Sequence, residues 1–143
     1  MAFSSKTEYG LVALIELAGL RDSGGVMQVG EIAARQAIPE RYLEQMLASL
    51  RRGGILRSIR GPKGGYQLAR QPSDLLVSEV VHCLEGENAG RCDPTQQSAE
   101  FKVLRALAGE VERSRARLLE GTTLLHLIER RDSLQQPHAM YFI

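Results

Sequence analysis

The residues best placed to do chemistry are positive charges, and they are clustered. In RSIRGPKGGYQLAR, residues 57–70, the cations Arg57, Arg60, Lys63 and Arg70 surround a run of glycine and proline. Gly61, Gly64 and Gly65 permit backbone angles closed to other residues, and Pro62 fixes one torsion. The stretch therefore reads as a stiff β-hairpin with charge at its tip. From Arg35 to Arg70 eight basic residues stand against two acidic ones, and from Gln71 to Glu100 six acidic residues stand against one basic. The net charge of +1 hides this segregation. A basic block of this kind is the electrostatic footprint for a polyanion. A solvated face without a ligand is the alternative that charge alone leaves open.

Other chemistries are poorly served. The two cysteines, Cys83 and Cys92, are too few for a secreted disulfide framework and fit reduced thiols, metal ligands or sensors. His82, His126 and His138 lie far from any serine on a glycine elbow, and GPKGG lacks both the spacing and the following hydroxyl residue of a phosphate loop. No enzymatic role is expected. No run approaches the roughly eighteen apolar residues of a membrane span, and the N-terminus lacks a leader pattern, so a cytoplasmic chain without membrane contact is expected.

The elements that must carry the cations follow from periodicity. With 43% hydrophobic residues the chain can bury one main core. Ser5 is a candidate cap for a first helix in which Tyr9, Val12, Ala13, Leu17 and Leu20 recur at helical spacing until Gly24 and Gly25. GEIAARQ fits a short helix ending near Ala37. A longer helix is expected from Pro39, with Tyr42, Leu43, Met46, Leu47 and Leu50 on one face and Gly53–Gly54 as its stop. Two short helices in this order, the second rich in outward Arg, Glu and Gln, read as a helix-turn-helix, and the hairpin follows at once. SEVVHCLEG predicts a helix to Gly86, and ENAGRCDPTQQ a loop. From Ser98 to Leu119 the residues Phe101, Leu104, Ala108, Val111 and Leu118 alternate spacings of three and four, the pattern of a dimerisation seam. Arg115 interrupts that stripe, either as a frayed position or as the partner of a carboxylate on a neighbour. Thr122 or Thr123 should cap a last helix through Arg130, with Leu124, Leu125, Leu127 and Ile128 apolar. Met140 to Ile143 are expected to dock on the protein or its partner subunit. The expected fold is mainly α with a small β-hairpin wing: a winged helix-turn-helix over residues 1–72, then a signal loop, long C-terminal dimerisation helix and tail over 73–143, all in one unit.

ERYLEQMLASLRRGGILRSIRGPKGGYQLAR closely resembles the signature of the Rrf-two family of bacterial transcription regulators, which includes an iron-sulfur cluster regulator and a cysteine-metabolism repressor. The likeness runs from SKTEYGLVALIELA to the long helix. It implies a winged helix-turn-helix homodimer on double-stranded DNA, with the helix from Pro39 in the major groove and the hairpin tip at the minor groove. In that setting Glu44 suits a cytosine amino group and Gln45 an adenine, while Arg41, Tyr42 and Arg51 suit phosphates. Arg60 suits a narrow minor groove, Lys63 adds charge, and Gly61 lets the backbone approach. Two such helices about a two-fold axis imply a pseudo-palindromic operator; the resemblance favours a repressor and leaves an activator open. A winged-helix module that binds protein instead of DNA is the competing reading.

The resemblance also raises an iron-sulfur cluster, and here the sequence departs from the family pattern. Cluster-binding members carry three closely spaced cysteines and a fourth ligand. Of these only Cys92 is retained, and one thiolate cannot supply the usual four donors. A mixed site would need Cys83, His82 and Glu8 of the partner subunit. Cys83 otherwise reads as a buried small residue, and Cys92 as a thiol sensor with unhelpful acidic neighbours. The signal, whether iron-sulfur, redox or metabolite, stays open.

Overall fold

A computed structural model of the chain describes residues 2–20, 24–86 and 93–135. The order is α1 (Ser5–Gly19), α2 (Val29–Gln36), α3 (Glu40–Arg52), β1 (Leu56–Ile59), β2 (Gly65–Leu68), α4 (Val77–Glu85), α5 (Ala99–Glu120) and α6 (Leu124–Gln135). It is a mainly helical chain with an antiparallel hairpin wing, as expected. The call falling on Met140 to Ile143 lies outside the described residues.

Each element starts and stops for a local reason. Ser4, one residue earlier than expected, caps α1: its Oγ accepts from the Thr7 N–H at 3.2 Å. α2 ends at Ala37, which adopts φ 54° and donates to the Ala33 carbonyl. Pro39 is the cap of α3, one place before its first helical residue. Leu43, Met46, Leu47 and Leu50 are buried. Tyr42 departs from the expected buried face and is 50% exposed, because a step of about 100° per residue turns it to the edge of a stripe that Leu43 already anchors.

The apolar face of α1, with Leu14 and Leu17 almost fully buried, is the hub of a single core cluster. α3 and α4 pack on it, α6 adds Leu124 and Ile128, and β1 and β2 add Leu56 and Leu68. The hairpin pairs Leu56 with Leu68, Arg57 with Gln67, Ser58 with Tyr66 and Ile59 with Gly65. An isolated bridge, not evident from the sequence, flanks β2: Met27 and Tyr66 exchange both backbone hydrogen bonds at 3.0 and 2.9 Å. On the C-terminal side, Val77 N–H donates to the Thr122 carbonyl and Leu124 N–H to the Leu75 carbonyl, pinning the α5–α6 junction beside the start of α4. Thr123 caps α6 by reciprocal bonds with His126: Thr123 Oγ1 accepts from the His126 N–H, and His126 Nδ1 accepts from the Thr123 N–H. The helix then runs to Gln135, beyond the expected end at Arg130.

Gly65 cannot be replaced cheaply. Its φ is 153°, and a Cβ there would lie 2.4 Å from the Met27 carbonyl oxygen. Gly65→Ala is expected to lower the unfolding free energy by about 1–3 kcal/mol, read as a lower urea midpoint; an unchanged midpoint would show that the strand beside Met27 is not a constraint.

Candidate nucleic-acid interface

The buried stripe of α3 leaves its opposite face to solvent. Arg41, Tyr42, Glu44, Gln45 and Arg51 are all exposed on it. β1 follows α3 after Gly53 and Gly54 and packs against it, so the position of the wing is tied to that helix. At the wing tip Gly61 to Gly64 form a β-turn closed by a 2.9 Å bond from the Gly64 N–H to the Gly61 carbonyl, with Pro62 at the second position. Gly61 has φ 111°. A Cβ on Gly64 would overlap the Ile59 carbonyl oxygen. Arg60, Gly61 and Lys63 are exposed around this turn.

The cations divide into two groups that the sequence does not separate. Arg35 is held by Glu16 at 3.1 Å, and Arg70 by Glu79 at 2.9 Å. Glu79 also accepts from the Leu76 N–H, so Arg70 belongs to the start of α4. Among the described residues Arg41, Arg51, Arg57, Arg60 and Lys63 enter no ion pair. Charge that is committed inside the fold offers little to a polyanion, whereas exposed unpaired cations can release counterions from one.

Of the residues singled out for metal binding, Cys83, His82 and Glu8 lie among the described residues. Cys83 is half-buried, and its Sγ donates to the Ser49 carbonyl at 3.4 Å, against the last turn of α3. Burial pushes the thiol pKa up, and the nearby Arg52 charge only partly opposes this. His82 is exposed, and Glu8 is half-buried on α1. Cys92 lies outside the described residues. Among the described residues no three His, Cys, Asp or Glu side chains are grouped to hold a metal ion.

α5 is anchored at its two ends. Arg105 donates to the carbonyls of Gln96 and Asp93 and stacks 5.5 Å from the Phe101 ring centroid, fixing the turn that enters the helix. Arg115 pairs with Glu85 of α4 at 3.2 Å and donates to the Ala2 carbonyl. Of the two readings of Arg115, the ion pair is therefore the one realised, and within the same chain. Between these anchors α5 buries no residue. Phe101, Leu104, Val111 and Leu118 are 40–68% exposed, and Ala108 is exposed beside them. Val103 and Leu107, outside the expected seam, widen the same apolar surface.

Residues 3–130 match the Rrf2 family, described as iron-dependent transcriptional regulators. An rrf2-like HTH-type transcriptional regulator, so named in Rhodobacter capsulatus, is 36% identical over 133 residues, covering 85% of this chain and 88% of the relative. The solved structure of T. potens IscR superposes with a TM-score of 0.76 at 33% identity, over 92% of this chain and 89% of that one. CymR, the global cysteine regulator of B. subtilis, gives a TM-score of 0.76 at 30% identity, over 90% and 96%.

Glu85 offers a test of the α4–α5 junction. Burial alone would raise its pKa, but hydrogen bonds from Ser4, Thr7 and Arg115, with the Arg115 charge, outweigh burial and hold it below the usual value. A depressed folded pKa stabilises the protein above the unfolded carboxyl range, and the contribution is lost as pH falls through the folded value. The stability difference between the native chain and Glu85→Gln, no more than about 1 kcal/mol for a partly exposed pair, should therefore shrink on acidification. Thermal melts from neutral to acid pH check this; parallel curves would remove Glu85 from the account.

Proposed function

The chain belongs to the Rrf2 family of transcriptional regulators, and we propose that it works as a homodimeric, sequence-specific DNA-binding repressor on a pseudo-palindromic operator. The observation that carries this reading is the set of exposed, unpaired cations Arg41, Arg51, Arg57, Arg60 and Lys63, spread over α3 and the wing that packs on it. Arg41 and Arg51, with the Tyr42 hydroxyl, contact phosphates beside the major groove. Glu44 and Gln45 reach base edges there. Arg60 enters the minor groove, where the potential is most negative, with Lys63 on the flanking phosphates. The stiff turn limits the entropy lost on binding. In this reading the chain is a cytoplasmic regulator and not an enzyme.

Dimerisation supplies the second half-site. The apolar surface of α5 from Phe101 to Leu118 is too large to leave in water, and a second copy of the same helix covers it most economically. Two α3 helices then face one side of a duplex, and the operator repeats the protein's two-fold symmetry.

Fluorescence anisotropy with genomic fragments at low ionic strength tests the interface. Arg60→Ala is expected to weaken binding and to reduce the salt slope by about one, whereas Arg70→Ala, already held by Glu79, should leave that slope nearly unchanged. Equal effects of the two would overturn the division between committed and unpaired cations, and a wild-type chain that binds no duplex would overturn the regulator reading in favour of a protein-binding module. For the seam, Val111→Glu should convert the chain to a monomer in light scattering after gel filtration, with folding retained by circular dichroism. A variant that stays dimeric places the contact elsewhere.

A further inference from the structure

The two faces of the hairpin meet different surroundings. Directly paired residues of an antiparallel ladder share a face, so Leu56 and Leu68, both buried, mark the inner one, and Ser58 with Tyr66 lies on it. Arg57 with Gln67, and Ile59 with Gly65, make the outer face. There Ile59 is left 38% exposed, the large apolar side chain of the wing that the core does not take up. The position across from it carries no side chain, and none can be added, because a Cβ on Gly65 would overlap the Met27 carbonyl. Its diagonal neighbour Gln67 donates to the Gly24 carbonyl and is engaged there.

Around Ile59 the surface is cationic. Arg57 stands two residues back on the same face, about 6.6 Å along the strand, and Arg60 and Lys63 follow at the turn. All three are exposed and enter no ion pair among the described residues. Strand propensity does not by itself account for the isoleucine, since threonine serves a strand nearly as well without an exposed apolar end. An apolar side chain ringed by unpaired cations fits a polyanion that is charged along its edges and apolar between them. The minor groove of a duplex is such a surface: phosphates border it, and deoxyribose carbons form its walls.

We propose that Ile59 is a specificity-determining residue: it lies in the minor groove beside Arg60 and selects A·T pairs beneath the wing. This rests on the duplex-binding reading above and goes beyond it, since that reading gives the wing charge contacts alone. The selection works by exclusion. In the minor groove A·T and T·A present only acceptors, to which Arg60 can donate, while G·C adds the guanine N2 amino donor. Arg60 carries donors and no acceptor, and the Ile59 side chain carries neither. A guanine amino group beneath them is left without a partner, and the pair is disfavoured. Arg57 holds the bordering phosphate and seats Ile59, which adds affinity but no sequence information.

The probe is a duplex that the wild-type chain selects from a randomised library, with the pairs beneath the wing located by hydroxyl-radical footprinting. Each A·T pair there is replaced by G·C, or by inosine·cytosine, which matches G·C in the major groove but lacks the N2 amino group. G·C should weaken binding about tenfold, and inosine·cytosine should bind like A·T. Ile59→Val should keep the G·C penalty, whereas Ile59→Thr, of the same shape but with a hydroxyl acceptor, should reduce it severalfold. Both are β-branched and retain the strand, which circular dichroism checks, and a purely structural role would weaken A·T and G·C duplexes alike. Arg57→Gln should lower the salt slope by about one and leave the G·C penalty in place; an unchanged slope removes the seating contact. The proposal is overturned if inosine·cytosine binds as weakly as G·C, or if the threonine and valine variants show equal penalties. A wild-type chain that selects no duplex removes the regulator reading and this proposal with it, while a selected duplex indifferent to G·C beneath the wing removes this proposal alone.

Discussion

Burial of one stripe on α3 governs the arrangement of the cations. Leu43, Leu47 and Leu50 share one core cluster with Leu14 and Leu17 of α1. Each such side chain removed from water is worth about 1.5–3 kcal/mol. The stripe fixes the rotation of α3 about its axis, and that rotation leaves Arg41, Glu44, Gln45 and Arg51 to solvent. The same stripe positions the wing, because Ile55 and Leu56, directly after the helix, are drawn into the same core. Packing and recognition are two sides of one helix, so the outward residues can vary in chemistry without disturbing the fold.

A second level of order is electrostatic. Glu16 and Glu79 each neutralise an arginine that would otherwise count toward the basic block, and each uses it to join two elements: α1 with α2, and the end of the wing with α4. Charge on the wing turn and the outer face of α3 has no such carboxylate. This sorting gives the surface its polarity more than the overall net charge does. Exposed pairs contribute little stability; Glu16, largely buried and bonded to both Arg35 and Gln36, restrains orientation more than a surface pair can.

Much of this was legible from residue order alone. Helical spacing located α1 to α5, glycine and proline located the wing, and the alternation of spacings in α5 located its exposed apolar face. What the sequence hid involves partners distant along the chain. Met27 forms a single bridge and carries no alternating pattern. Arg35 and Arg70 look like the other cations until Glu16 and Glu79 are seen beside them. Tyr42 sits four residues before Met46, so periodicity placed it inward, and only the position of α1 shows that Leu43 fills the core instead. α6 ran past Arg130 because no glycine or proline stops it before Pro137. Arg131 donates to the Ile15 carbonyl from more than a hundred positions away, and no local motif announces that contact.

The helix α5 bears on why the chain's C-terminal half takes this form. A helix of 22 residues that buries none of them gains no tertiary packing along its middle, and packing, more than intrinsic propensity, stabilises helices in proteins. Its ends are tied by Arg105 to the preceding turn and by Arg115 to Glu85, which sets its direction without covering Leu104, Leu107 or Val111. Leaving those residues wet forfeits the apolar contribution that the rest of the chain obtains from its core. Association through this face is the simplest way to recover it, and in the dimer proposed above the spacing of two recognition helices becomes a property of α5. Arg115 and Glu85 would then act at a distance from the duplex: by fixing the angle at which α5 leaves the core, they fix how far apart the two wings stand.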